Sequence, residues 1–144
     1  MRKDSRLSRV LHVLVHLNRF DSPVTSDTLS KMLLTNPVVV RRTMALLRAQ
    51  GYVHSTKGHN GGWALAKPLA DITLLDIHNA LGEGSVFTIG LTDEHNSCLV
   101  EIAVNNALKD VMGEAEKLML KRFEEITLDT LEVESTGQLK DLGI

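Results

Sequence analysis

Arg41 and Arg42 stand side by side, with Val38 and Val39 before them and Lys57, His59 and Asn60 further along the chain. These side-chain types suit contact with a polyanion. A guanidinium fork matches the paired acceptors on a guanine edge or the oxygens of a phosphate, and a valine methyl meets the methyl of thymine. Arg6 belongs to a second basic cluster with Arg2, Lys3 and Arg9. The competing reading of such arginines is a solvated surface, so the elements that carry them must decide.

Other residue types offer less. Cys98 is the single cysteine, so no disulfide forms within one chain. It precedes a long helical pattern, where the positive end of the helix dipole lowers a thiol pKa, which makes it a candidate redox sensor. Free cysteine is more often a small buried hydrophobe, and that is the expectation for Cys98. His12 and His16 lie four apart, a spacing that can hold a metal, but no carboxylate or cysteine nearby in sequence completes a ligand set. No metal site is expected. No nucleophile elbow or zinc-protease pattern is present, and Gly58-His59-Asn60-Gly61-Gly62 lacks the lysine and helix of a phosphate loop. No enzyme is expected.

The chain has 144 residues, 43% apolar and 24% charged, with a net charge of −2. Residues 1–68 hold 11 Lys and Arg against 3 Asp, a balance of +8, and residues 69–144 hold 5 against 15, a balance of −10. One half is therefore suited to a polyanion and the other is not. Aromatics are 3%, too few for a single-strand stacking platform. No apolar run is long enough to span a membrane, no secretory signal is visible, and the expected compartment is the cytoplasm.

The periodicity predicts helices over residues 5–19, 25–34 and 36–50. Ser5, either Thr25 or Ser26, and Asn36 are the expected N-caps, Pro37 suits the first helical position, and Gly51 ends the third helix. Val40, Met44 and Leu47 make that helix's buried stripe, leaving Val38, Arg41, Arg42 and Arg48 outside it. Strands over 52–55 and 63–66 flank a glycine-rich turn, forming a β-hairpin. Three helices followed by a hairpin read as a winged helix-turn-helix. Thr73 and Asp76 form a capping box for a fourth helix, residues 82–97 are irregular, and a long helix runs over 99–125. Its broad apolar face exceeds what a small winged domain can cover, so it is expected to meet a second copy of the chain. A last short helix restarts at Thr127, and the tail from Ser135 is expected to be frayed. The fold class is mostly α with a small β-hairpin wing. The expected division is a DNA-binding winged domain over 1–81, an effector or linker loop over 82–98, and a dimerisation helix with tail over 99–144.

The stretch Gly51-Tyr52-Val53-His54-Ser55, the wing Lys57-Gly58-His59-Asn60-Gly61-Gly62-Trp63-Ala64-Leu65-Ala66-Lys67-Pro68, and Ile72-Thr73-Leu74-Leu75-Asp76-Ile77 resemble the Rrf2 family of bacterial winged-helix regulators. Asn36-Pro37-Val38-Val39-Val40-Arg41-Arg42 and Ile126-Thr127-Leu128-Asp129-Thr130-Leu131 fit the same pattern. The resemblance implies a homodimeric transcription factor, usually a repressor, with the long helix as the dimer seam. Family members that sense iron–sulfur status or nitric oxide carry three cysteines before that helix. Here only Cys98 stands in that segment, beside Thr92, Asp93, Glu94, His95 and Asn96, so no iron–sulfur cluster and no other cofactor is expected. The prediction is a homodimer that binds a near-palindromic double-stranded DNA operator. The contact residues would be Val38, Val39, Arg41, Arg42, Lys57, His59, Asn60 and Arg6. The alternative is a protein-interaction module whose acidic C-terminal half docks a partner protein.

Overall fold

A computed structural model describes residues 5–82, 91 and 98–132. The first helix, α1 (Arg6–Leu17), buries Val10, Val13, Leu14 and Leu17, which recur at helical spacing. Ser5 does not cap it through its side chain, contrary to expectation. Its φ of −108° and ψ of 11° lie outside the extended conformation that an N-cap normally takes, and only its carbonyl serves the helix, accepting from the Arg9 N–H. Helix α2 (Ser26–Leu33) begins where the Thr25 hydroxyl accepts from the Thr28 N–H, and it stops at Leu34 in the left-handed conformation. Helix α3 (Pro37–Ala49) starts after only two intervening residues. The Asn36 side-chain oxygen accepts from the N–H groups of Val38 and Val39 at 2.8 and 3.1 Å, and Pro37 occupies a position that needs no donor. The tight turn between α2 and α3 thus carries its own stop and start signals.

Strands β1 (Val53–Thr56) and β2 (Gly62–Leu65) pair antiparallel, with Val53 opposite Leu65 and Ser55 opposite Trp63. Strand β1 starts one residue later than the sequence suggested. The wing is stitched to the chain before α2, because Val24 and Trp63 exchange both backbone hydrogen bonds at 2.9 and 2.8 Å. That close approach requires glycine: a Cβ on Gly62 would lie 2.5 Å from the Val24 carbonyl oxygen. After a 3-10 turn (Leu69–Asp71), α4 (Leu74–Ala80) opens with the Thr73–Asp76 capping box.

Helix α5 (Leu99–Glu125) is 27 residues long, about 40 Å at the standard rise. It packs on α4, where Phe123 meets the buried His78 edge-on at 5.9 Å between ring centroids. The chain then doubles back. The Leu74 N–H donates to the Ile126 carbonyl at 3.0 Å, and the Leu128 N–H to the Ile72 carbonyl at 2.9 Å. Leu128 becomes fully buried in one core with Leu14, Leu29, Met44, Leu47, Ile72 and Ile77. A helical turn over 128–132 follows. The irregular segment expected over 82–97, except Gly82 and Leu91, and the tail from Ser135 lie outside the described residues.

Candidate nucleic-acid interface

Helix α3 is anchored on one side by Val40, Met44 and Leu47 and presents its other flanks outward. Val38, Arg42 and Leu46, four residues apart, are all exposed. Arg41 is turned toward the wing, where it lines a cleft of about 350 Å³ together with Lys57, Thr25, Ser26, Ser55 and Thr56. Asp27 also lines this cleft. Two cations, the hydroxyls of Ser26, Ser55 and Thr56, and the start of α2 therefore converge between helix and hairpin, a set of donors suited to a phosphate. On the opposite flank, Arg6 and Arg9 of α1 border a narrow groove with Val39 and Thr43. Cations thus lie on both sides of the exposed α3 surface. Arg2 and Lys3 lie outside the described residues.

Lys57, His59 and Asn60 are exposed on the wing turn. Gly58 and Asn60 hold positive φ, 88° and 64°, so the turn bends through two left-handed residues. The structure therefore brings Arg41 and Lys57 to one cleft, Arg42 and Val38 to one outer stripe, and Arg6 and Val39 to the far flank. His59 and Asn60 stand at the wing tip.

Arg48 does something the sequence did not reveal. It is exposed, but its guanidinium donates to the Ser55 hydroxyl at 3.1 Å and lies 5.6 Å from the Trp63 ring centroid. The Trp63 indole N–H donates to the Ser26 hydroxyl at 2.9 Å. These contacts fix the wing against α2 and α3, so Arg48 orients the hairpin. The only sequence signal was a long cation seven residues before a strand serine, which is too common to single out.

Cys98 is exposed, not buried as expected, because it occupies the N-cap position at the outer end of α5. The N–H groups of Glu101 and then Val100 favour its thiolate and lower the pKa, outweighing a small opposing desolvation. They do so without the geometry of a side-chain cap bond. The His12 and His16 rings lie 4.6 Å apart, and the His16 pKa is lowered by burial, then by His12 and Arg19. Among the described residues, no three His, Cys, Asp or Glu side chains are placed to hold a metal ion.

The family model of Rrf2, described as an iron-dependent transcriptional regulator, matches residues 4–133. The chain belongs to the Rrf2 family of transcriptional regulators. It is 32% identical over 146 residues to YwgB of Bacillus subtilis, whose name assigns it provisionally to the HTH-type regulators. That match covers 99% of this chain and 90% of YwgB. It is 30% identical to protein rrf2 of Nitratidesulfovibrio vulgaris, over 77% of this chain and 72% of that one. Among solved structures, IscR of T. potens shares the fold with a TM-score of 0.67 at 19% identity, covering 94% of this chain and 88% of that one. CymR, the global cysteine regulator of B. subtilis, does so with a TM-score of 0.59 at 20% identity, covering 93% and 98%. The winged helix and long C-terminal helix are those of this family, and the chain is a DNA-binding regulator of transcription. No described helix is long and apolar enough to cross a membrane.

The family description names iron. Iron–sulfur clusters are held mainly by thiolates, and the chain supplies one.

Proposed function

We propose that the protein is a homodimeric, sequence-specific repressor that binds a near-palindromic operator in the cytoplasm and works without an iron–sulfur cluster. The observation that carries the reading is the exposed α3 surface, with Arg42 on its outer face and Arg41 sharing a cleft with Lys57 of the wing. Val38, Val39 and Arg6 border the same surface, and with His59 and Asn60 on the exposed wing turn they complete the proposed contact set. Repression is the sign of regulation that family membership implies. The single thiolate supports the reading without a cluster. The exposed apolar residues of α5 support the dimer, which would hold two reading heads at a fixed spacing.

The test is fluorescence anisotropy on DNA upstream of the protein's own gene, and on duplexes enriched from a random pool, at several salt concentrations. Specific binding should weaken steeply with salt. Arg41→Ala with Arg42→Ala should abolish it or flatten the salt dependence by about one unit of slope for each phosphate no longer neutralised. The second reading is a module that docks a partner protein on the acidic C-terminal half. It draws on the same α5 surface, where Glu114, Glu124 and Glu125 are exposed beside the apolar residues. Docking through such a face should be nearly indifferent to salt and to the arginine substitutions.

A further inference from the structure

The outer stripe of α3 is unusually poor in hydrogen-bond donors for a helix that reads DNA. Arg41 points to the wing cleft, Arg48 is held by Ser55 and Trp63, and Asn36 spends its side chain on the helix cap. Thr43 is half-buried on the α1 side. What remains outward is the stripe Val38, 51% exposed, then Arg42, then Leu46, 39% exposed, with Ala45 and Ala49 beside them and Val39, 38% exposed, on the Arg6 side. Along this stripe two large apolar side chains are thus held in water around one guanidinium, between the cations Arg41 and Lys57 on one flank and Arg6 and Arg9 on the other. That charge frame suits the phosphates on either side of a DNA major groove.

We propose that α3 reads a half-site in which one guanine lies between thymines: Arg42 takes the guanine edge, and Val38 and Leu46 each cover a thymine methyl. The inference rests on the DNA-binding reading above and names the sequence class that reading left open. The major groove displays guanine O6 and N7 as a paired acceptor for one arginine, and the thymine C5 methyl as its one apolar feature. Val38 and Leu46 lie eight residues apart, about 12 Å along the helix, which matches three to four base-pair steps of about 3.4 Å. The guanine and its flanking thymines therefore fall within one short half-site.

The experiment enriches duplexes from a random pool with the full chain, then replaces each thymine of the selected site in turn with uracil, which lacks only the methyl. Two thymines per half-site should each show about a fourfold loss of affinity, the size expected for one buried methyl. The Val38→Ala protein should lose the effect at one of these thymines and Leu46→Ala at the other. Arg42→Ala should lose about tenfold or more of the preference for guanine. All three residues are exposed, so the variants should melt like the parent. Enriched duplexes that are indifferent to uracil, or variants that keep the parent's uracil profile, overturn this inference and leave the regulator reading standing. A pool from which no duplex is enriched overturns both.

Discussion

Leu34 sits where a side chain is unwelcome. Its φ is 53° and ψ is 43°, at the end of α2, and it is 92% exposed, so no packing offsets the left-handed conformation. The Leu34→Gly protein should be more stable by about 0.5–1 kcal/mol, after allowing for the extra freedom of glycine in the unfolded chain. The thermal midpoint should then rise by about 2 °C, and a fall would show that the leucine is held by contacts absent from this geometry. Thr35-Asn36-Pro37 marks the turn in the sequence, but nothing marks its first residue as left-handed, because glycine or asparagine normally fills that role. Cys98 also departs from what its residue type suggests. A lone cysteine points inward as a rule, whereas its place at the mouth of α5 keeps this one in solvent. Since backbone N–H groups stabilise the thiolate, the folded-state pKa is depressed and the reactive form persists to lower pH. The rate of iodoacetamide alkylation, followed against pH, should reach half its plateau below the pH found for the urea-unfolded protein. Coincident profiles would remove the helix from the account.

At the scale of elements, local signals were legible where chemistry is local. Asn36-Pro37 and Thr73–Asp76 mark helix starts through bonds that span two or three residues, and both pairs are as the sequence suggested. Long-range placements were not legible. The Val24–Trp63 bridge joins the wing to a segment nearly forty residues earlier, and Arg48 reaches the wing through an interaction no periodicity encodes. The return of the chain after α5 is the clearest case. Residues from Thr127 on read as a short helix with Leu128 and Leu131 on its apolar face, but only the fold places Leu128 at the centre of the winged domain's core. The last turn is therefore a latch that holds the end of α5 to α4. Leu128→Ala should cost about 2–5 kcal/mol, since it empties a fully buried leucine site. Urea unfolding should show a lower midpoint with the slope retained. A destabilisation below about 1 kcal/mol would mean that the latch is dispensable to the core.

At the scale of the whole molecule, the two halves differ both in charge and in the surface they leave exposed. The basic half carries the α3 surface, while α5 in the acidic half leaves an apolar seam that nothing among the described residues covers. Val104, Leu108, Val111, Ala115 and Leu118 follow the alternating four-and-three spacing of helices that pair along their length, and Val111 and Leu118 are 66% and 72% exposed. Met112 and Phe123, on the same helix, are half-buried. The seam is thus narrower than the broad apolar face expected of this helix. Placing glutamates at Val111 and Leu118 would set like charges against each other across a two-fold interface while leaving the core of each chain intact. The Val111→Glu, Leu118→Glu protein should sediment as a monomer and keep its helical circular dichroism. On DNA, it should bind an isolated half-site as the parent does but lose the added affinity for the paired site. A variant that still sediments as a dimer would show that the seam lies elsewhere. A monomer that binds the paired site as tightly as the parent would show that dimerisation is no part of operator recognition.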